Sequence, residues 1–196
     1  MSDRSRRLLV PLIALCIGLA ALLAVLLTLR PAGQDTRPSA VGGPFTLISH
    51  EGKTLTERDL LGAPYLVFFG FTHCPDVCPT KLFEISEALR ATGERGRRLR
   101  ALLITVDPER DTPEILKSYL GSFDERIVGL TGDPAAVEAA LRVYRGFARK
   151  APLKDGDYTM EHTSLVYLMD RNGRFVGAFN LDRPPADAAR ELLRHV

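Results

Sequence analysis

Two cysteines four residues apart, Cys74 and Cys78, are the side chains of this sequence best suited to chemistry. They lie in the segment FTHCPDVCP, residues 71–79, directly after an apolar run that predicts a buried strand. A helix is expected next, and a helix N-terminus lowers the pKa of nearby thiols, which favours the thiolate that attacks disulfides and binds metal ions. The segment therefore predicts a metal site or a redox-active dithiol. Two inert thiols or a structural disulfide are the alternative, although a bridge that closes so short a loop stabilises little.

The spacing of the two cysteines bears on which chemistry they suit. Residues i and i+4 of a regular helix have Cβ atoms about 5–6 Å apart, a gap that a metal ion bridges. A disulfide needs a Cβ separation of about 3.8 Å and so requires local bending. Because a proline inside a helix cannot donate its backbone hydrogen bond, the sequence predicts a loop-like CxxxC, with the regular helix beginning near Pro79.

The four histidines of the chain are the candidates for a third metal ligand. His50 falls in a predicted hairpin turn and His195 is the next-to-last residue, so both are expected to face solvent. His73 adjoins the first cysteine, but its side chain is free to point elsewhere. His162 opens a predicted strand over residues 163–169, whose start lies beside the cysteine loop in a thioredoxin-like topology. At that position it is either a ligand or a hydrogen-bonded loop residue.

The number and type of these side chains distinguish among thiol chemistries. Disulfide oxidoreductases of this fold typically use CxxC, with a proline where this chain has His162 and Thr163. A structural zinc site takes four protein ligands, whereas two cysteines and a histidine make three, a soft set that suits Cu(I). Met160 could share a strand face with His162 and is expected to pack rather than to bind metal. A copper carrier is the first hypothesis, a thiol–disulfide oxidoreductase the second, and a peroxidase using Cys74 the third.

Two further charged groups invite a functional interpretation but have simpler explanations. Asp107 is expected to end a strand at a turn, and Asp111 or Thr112 to cap a helix, rather than to act in acid–base catalysis. An arginine cluster follows a helix end, where the helix dipole favours positive charge, so it is interpreted as a solvated face. This cluster consists of Arg95, Arg97, Arg98 and Arg100.

The elements expected around the cysteines form an α/β fold, a thioredoxin-like sandwich with a mixed central sheet. Buried-type strands alternate with helical apolar stripes in the first part of the domain, which indicates parallel strands. Asn172-Gly173 between two later strand-like runs is a strong hairpin signal and adds an antiparallel partner. The predicted strands cover residues 45–48, 53–56, 65–72, 101–106, 127–130, 164–169 and 174–179, and a final helix covers residues 186–195.

The first 43 residues are predicted to be a membrane anchor and a tether. Residues 8–29 hold 22 residues without a charged side chain, enough for a single transmembrane helix of roughly 33 Å. Arginines before this run favour a cytoplasmic N-terminus at residues 1–7 and a domain on the periplasmic side of the inner membrane. Residues 30–43 are rich in proline, glycine and polar side chains, as in a flexible linker. The domain itself is expected to cover residues 44–196.

A cleaved signal peptide is the alternative for this N-terminal segment. The apolar run is longer than the usual 7–15 or so residues of a signal peptide, and it ends in Thr28-Leu29-Arg30-Pro31, a poor cleavage site. Cys16 lies in mid-run after Leu15, where a lipoprotein cysteine would need a small residue, so it is interpreted as an apolar side chain in lipid. Retention as an anchor is therefore the preferred interpretation.

The composition excludes several classes of protein. The chain has 196 residues, 45% of them hydrophobic and 26% charged, which argues against a wholly disordered or fibrous protein. Five of the 26 Lys and Arg residues and two of the 24 Asp and Glu residues precede residue 42, so the rest of the chain has a net charge of −1. A nucleic-acid-binding face on the domain is therefore not expected. Three cysteines are too few for a disulfide scaffold.

Several motifs, taken together, resemble those of the Sco/SenC family of copper-binding proteins. The resemblance covers nearly all of residues 44–182, and a membrane anchor before a thioredoxin-like domain is also the family arrangement. The motifs are FTHCPDVCPT at residues 71–80, VDPERDTP at residues 106–113, GLTG at residues 129–132 and YTMEHT at residues 158–163. One departure is Glu161, which stands where the family often has aspartate and keeps the charge.

This resemblance implies a function and a ligand set. The family binds copper through residues that correspond to Cys74, Cys78 and His162, which implies one copper ion per domain. It also implies a metallochaperone that helps to assemble the dinuclear copper centre of cytochrome c oxidase. The implied partners are the oxidase subunit that carries this centre and other periplasmic copper carriers. Redox chemistry at the cysteine pair remains the alternative, as an accessory or a main activity.

Overall fold

The computed structural model describes residues 15–22, 40–154 and 156–196. Contacts divide the chain into two compact units, residues 1–38 and residues 39–196. In the first unit, residues 15–22 are helical and form α1. The rest of the predicted membrane span, residues 8–14 and 23–29, and residues 30–39 of the predicted linker lie outside the described residues. Residues 40–43 are described and contact the domain: the Gly42 backbone N–H donates to the Val143 carbonyl oxygen at 2.8 Å, and Val41 packs against the core. Among the residues described, no helix combines the length and the apolar character needed to cross a membrane.

The second unit contains nine strands, four α-helices and two short 3-10 helices, Glu57–Leu60 and Gly93–Gly96, among its described residues. The strands are β1 (Thr46–Ser49), β2 (Thr54–Thr56), β3 (Tyr65–Gly70), β4 (Arg100–Thr105), β5 (Ile127–Thr131), β6 (Ala148–Pro152), β7 (Tyr158–His162), β8 (Val166–Met169) and β9 (Phe175–Ala178). The α-helices are α2 (Val77–Ala91), α3 (Pro113–Leu120), α4 (Pro134–Val143) and α5 (Pro185–Leu192).

Seven of these strands form one mixed sheet in the order β2-β1-β5-β4-β3-β8-β9. The three central strands β3, β4 and β5 run parallel, while β1 and β8 pair antiparallel at either side of them. This arrangement confirms the predicted α/β fold with a mixed central sheet. Because β3 and β4 run parallel, their carboxyl ends meet at one edge of the sheet, and the cysteine loop follows β3 there.

The core lies around the central strands. All six residues of β3 are buried, as expected of an apolar strand covered on both faces. Helix α2 packs against α5, while α3 packs on β5 and α4 on β1. The predicted Asn172-Gly173 turn joins β8 and β9, and Gly173 has a φ of 72°, a conformation that glycine adopts without strain.

The beginning of α2 differs from the prediction. The helix starts at Val77 rather than near Pro79, so Cys78 lies inside its first turn and only Cys74 precedes the helix. The proline does not prevent this, because the first turn of a helix has no intrahelical acceptor for its backbone N–H groups.

A separate two-stranded hairpin, formed by β6 and β7, was not expected from the sequence. His162 is the last residue of β7 and pairs with Ala148, so the prediction that it opens a strand over residues 163–169 is wrong. The next strand of the main sheet begins only at Val166. The hairpin strands read ARKAP and YTMEH. Charged residues and proline are uncommon in strands, so the composition of these segments did not predict strands.

Candidate metal centre

The cysteine loop is attached to the end of the sheet by a buried carboxylate. Asp111 is completely buried and follows β4 by six residues. Its oxygens accept hydrogen bonds from the Thr72 hydroxyl at 2.6 Å and from the Thr72 backbone N–H at 3.1 Å. The hydroxyl of Thr105, the last residue of β4, donates to the same carboxylate at 2.6 Å. Asp111 therefore joins the start of the cysteine loop to the neighbouring strand.

The two thiols lie side by side. The backbone N–H of Cys78 donates to Cys74 Sγ at 3.3 Å, and both cysteines are free. Cys78 is fully buried, while Cys74 is partly exposed. A Cβ atom placed on Gly70 would lie 3.0 Å from Cys78 Sγ, so the sulfur packs directly on the glycine that ends β3. The structure thus brings together the pair that the sequence predicted, with one sulfur accessible and the other enclosed.

The protonation of the inner thiol differs from expectation. Burial raises the pKa of Cys78 well above its ordinary value, and the neighbouring Cys74 raises it further. A hydrogen bond to the Phe71 backbone acts in the opposite direction but does not offset this effect. The prediction that the helix N-terminus favours thiolate is therefore wrong for Cys78, because the side chain enters the apolar core rather than facing the helix end.

His162 lies over the base of the cysteine loop. Its imidazole packs edge-on against Phe71, with ring centroids 5.7 Å apart, and is 6.5 Å from the ring of Phe68. Its Nδ1 is 3.0 Å from the carbonyl oxygen of Thr163. Because a carbonyl only accepts hydrogen bonds, this nitrogen carries the proton, which leaves the Nε2 lone pair of the neutral ring available.

The other histidines occupy different environments. His73 is exposed, and its Nδ1 is 3.2 Å from the hydroxyl of Thr72. His50 was expected to face solvent, but its Nδ1 accepts a hydrogen bond from the backbone N–H of Gly129 at 2.9 Å, which ties the β1–β2 turn to β5. His195 lies after α5, near the end of the chain.

The remaining side chains that the sequence singled out pack on the core, cap a helix or face solvent. Met160 is partly buried and packs against the hydrophobic core, as predicted. Thr112 caps α3 by accepting a hydrogen bond from the backbone N–H of Ile115, so Thr112 rather than Asp111 is the capping residue. The arginines of the cluster at residues 95–100 are exposed, as expected of a solvated face.

The sequence analysis treated Asp107 only as a turn residue and did not single out Arg110 or Tyr158, which support the site together with it. The carboxylate of Asp107 is buried and accepts hydrogen bonds from Arg110 and from the hydroxyl of Tyr158 on β7. The signal that could have identified Asp107 and Arg110 is the acidic and basic content of VDPERDTP, which is unusual directly after a buried strand.

The structure does not gather all the predicted ligands into one cluster. Within residues 15–22, 40–154 and 156–196, no group of three His, Cys, Asp or Glu side chains is placed so that it could hold a metal ion. Cys74 and Cys78 are adjacent, and His162 packs on Phe71, the third residue before Cys74. The ligand set of Cys74, Cys78 and His162 therefore stays a prediction.

Comparisons with known proteins point to one family. Residues 33–196 match the protein-family model described as SCO1/SenC. SenC of Rhodobacter capsulatus is 36% identical over 153 residues, which cover 78% of this chain and 69% of that protein. The mouse mitochondrial SCO1 homolog is 37% identical over 159 residues and 80% of this chain. The chain spans about half the length of the mitochondrial SCO1 relatives, with 56%, 43% and 53% of the mouse, Arabidopsis and human proteins covered.

Solved structures give the same result. Copper-bound ScoI of Bradyrhizobium japonicum is 57% identical with a TM-score of 0.78, over 80% of this chain and 100% of that one. Copper-bound Sco1 of yeast is 38% identical with a TM-score of 0.73, over 81% of this chain and 88% of that one. The fold described above is thus shared with proteins whose structures contain copper.

Proposed function

This chain belongs to the SCO1/SenC family, and we propose that it carries copper for the assembly of the dinuclear copper centre of cytochrome c oxidase. The observation that supports this most strongly is the pair of adjacent free thiols at the carboxyl end of β3, close to the strand that carries His162. Copper is the cargo of the protein in this proposal, and the oxidase subunit that receives it is the partner.

The proposed ligands are Cys74, Cys78 and His162. Thiolate sulfur is the donor that Cu(I) prefers, and an imidazole nitrogen serves both Cu(I) and Cu(II). The Nδ1 hydrogen bond of His162 to a backbone carbonyl fixes the tautomer that offers Nε2, as is usual for metal-binding histidines. The chemistry of the three donors fits one copper ion per domain.

The unequal exposure of the two sulfurs suggests how the cargo is handed over. Cys74 is partly exposed, so a thiolate of the partner can approach the metal from that side. Cys78 is enclosed by the glycine at the end of β3 and by the core, so a bond between copper and the Cys78 sulfur would be shielded from water and competing ligands. We therefore expect ligand exchange to begin at Cys74 and to end at Cys78.

A thiol–disulfide reductase acting on a partner's cysteines is the second candidate. The adjacency of the two free thiols favours it, since attack of one sulfur on a partner disulfide leaves the other to resolve the mixed disulfide. The two protein sulfurs then become oxidised to a disulfide while the partner's two sulfurs are reduced to thiols. This activity and copper transfer use the same pair of cysteines and so exclude each other at any moment.

We further propose that residues 8–29 anchor the protein in the inner membrane with the domain on the periplasmic side. The support is the uncharged stretch of 22 residues in the sequence, long enough for a membrane helix. This location would place the domain beside a membrane-bound oxidase.

Copper analysis of the reduced full-length protein in detergent tests the proposed function. We expect about one copper ion per chain, the stoichiometry of a single site with three soft donors. The Cys74→Ser variant should retain almost none, while Ser118→Ala, an exposed change on α3, should bind like the unaltered chain. Equal copper content in the Cys74→Ser variant and the unaltered protein would contradict the proposal.

A further inference from the structure

The turn after β4, residues 107–111, contacts both halves of the candidate metal centre. It is closed by backbone hydrogen bonds from Arg110 and Asp111 to the carbonyl oxygen of Asp107, at 3.1 and 2.9 Å. Asp107 and Asp111 are 1% and 0% exposed, an unusual degree of burial for carboxylates. We call these five residues the 107–111 turn.

One end of the turn holds the hairpin strand β7. The hydroxyl of Tyr158 donates to Asp107 Oδ1 at 3.0 Å, and Arg110 Nε donates to the other carboxylate oxygen. The Arg110 guanidinium also donates through Nη1 to the Tyr158 carbonyl oxygen at 3.1 Å and lies 3.8 Å from the centroid of the Tyr158 ring. Arg110 therefore contacts both the backbone and the aromatic ring of Tyr158, the first residue of β7.

The other end of the turn holds the cysteine loop. Asp111 accepts two hydrogen bonds from Thr72, two residues before Cys74. Its remaining partner, Thr105, belongs to β4 and is itself completely buried. The cysteine loop is thus fixed to the rigid sheet by the residue that directly follows Arg110 in the chain.

The hairpin is joined to the rest of the domain by side chains. Among the described residues its two strands pair with each other and with no strand of the main sheet, and Lys150 of β6 makes a further ion pair with Glu109 of the 107–111 turn at 2.6 Å. The side chains of Tyr158, Met160 and His162 share one face of β7, because alternate residues of a strand point the same way. Met160 packs on the core and His162 on Phe71, while the Tyr158 end depends on the 107–111 turn.

From these contacts we propose that the 107–111 turn is a brace that sets the position of the His162 strand relative to the cysteine pair. The proposal rests on the proposed copper function for its purpose, because it assigns Asp107, Arg110 and Tyr158 as positioning residues for the histidine ligand. With the backbones of both halves fixed by one turn, the imidazole can join the two sulfurs by a local movement. Without the brace, β7 loses its attachment at Tyr158 and the histidine is presented in many positions.

Hydrogen exchange of the metal-free protein tests the brace independently of copper. Arg110→Met removes the hydrogen bond to the Tyr158 carbonyl oxygen, the contact with the Tyr158 ring and the ion pair with Asp107. We expect the amides of β6 and β7 to exchange at least about tenfold faster, because the loss of even one hydrogen bond to a charged group has an effect of this order. Amides of β3 and β4 should keep their rates. Tyr158→Phe keeps the ring and removes only the hydroxyl, so it should accelerate exchange at the same amides by a smaller factor. This variant keeps the proposal testable if Arg110→Met does not fold.

The control lies on the opposite face of the same hairpin. Arg149 pairs with Glu161 at 2.6 Å, with both side chains more than half exposed. Exposed ion pairs contribute little, so Arg149→Met should leave the exchange rates of the hairpin almost unchanged. If Arg110→Met and Tyr158→Phe behave like Arg149→Met, the brace does not exist.

A copper experiment then tests whether the brace acts through the histidine. Tyr158→Phe should weaken Cu(II) binding several-fold in the full-length protein and leave Cu(I) binding, which two thiolates support, nearly unchanged. In a His162→Ala background, the same substitution should have no further effect, because interacting sites are not additive. An equal loss in both backgrounds would show that Tyr158 does not act through His162. Failure of the unaltered protein to bind copper would overturn the proposed function and, with it, the purpose of the brace. The hydrogen-exchange rates would still decide whether the 107–111 turn holds the hairpin in place.

Discussion

Gly70 is the position where a single added methyl group should disturb the metal centre most directly. A Cβ atom there would lie 3.0 Å from Cys78 Sγ, from Leu103 Cδ1 and from Phe68 Cε1. All three side chains are buried, with exposures of 0%, 0% and 1%. None can turn toward solvent, so the core must expand or the sulfur must shift.

The magnitude of this effect follows from the cost of overpacking a filled core. Such substitutions destabilise a protein by about 1–3 kcal/mol. In a domain of this size, 1 kcal/mol shifts the melting temperature by about 2–4 °C. We therefore expect Gly70→Ala to lower the melting temperature of the reduced protein by about 2–12 °C. It should also weaken copper binding, because the displaced atoms include the inner sulfur.

Thermal unfolding followed by circular dichroism measures the first effect, and a copper titration measures the second. The matched control is Gly177→Ala in β9, where an added Cβ would meet no atom within 4 Å. This variant should melt at or slightly above the temperature of the unaltered protein, because the unfolded chain loses conformational freedom. Equal melting temperatures for the two alanine variants would refute the packing argument.

Three other outcomes are expected. Oxidation of the two cysteines to a disulfide should weaken copper binding strongly, since the bridge occupies both sulfurs; equal affinities for the two redox states in a copper titration would mean that the cysteines are not ligands. Burial of Asp124 acts to raise its pKa, but the hydrogen bonds from Arg126 outweigh this effect and lower the pKa below its ordinary value. The ionised carboxylate therefore stabilises the fold at pH values above its unfolded pKa of about 3.9. This stabilisation is lost as the pH falls through the lower pKa of the folded state. Asp124→Asn should accordingly lower the melting temperature at pH 7 and have a shrinking effect in acid, while Glu51→Gln in an exposed ion pair should have none; a difference that grows in acid would contradict this account. Protease added to spheroplasts should digest the domain while cytoplasmic markers survive, and protection of the domain would overturn the proposed orientation.

The central sheet and the cysteine pair could be predicted because local patterns specify them. The apolar run at residues 65–70 is long enough and dense enough in branched and aromatic residues to indicate a buried strand. The Asn172-Gly173 turn identifies its hairpin through a backbone conformation that few residues adopt. The cysteine segment follows β3 directly, so the position of Cys74 and Cys78 at the sheet edge depends only on that strand.

The surroundings of the pair could not be predicted in the same way, because they depend on contacts between distant parts of the chain. Asp107 and Tyr158 are 51 residues apart, and Thr72 and Asp111 are 39 apart. The hairpin that carries His162 has polar strands, and its register is visible only once it is folded. The raised pKa of Cys78 likewise follows from burial in the core, which the spacing of the two cysteines does not reveal.

The thiolate-to-Cu(II) charge-transfer band tests most directly whether His162 completes the copper site. His73 is the strictest control, since it adjoins Cys74 but is exposed and lies close to Thr72. Cu(II) is a harder ion that prefers imidazole in addition to thiolate, whereas two thiolates alone can hold Cu(I). The account predicts that His162→Ala loses the band while remaining folded by circular dichroism, and that His73→Ala keeps it. A band that survives in folded His162→Ala and disappears in His73→Ala would contradict the proposed ligand set.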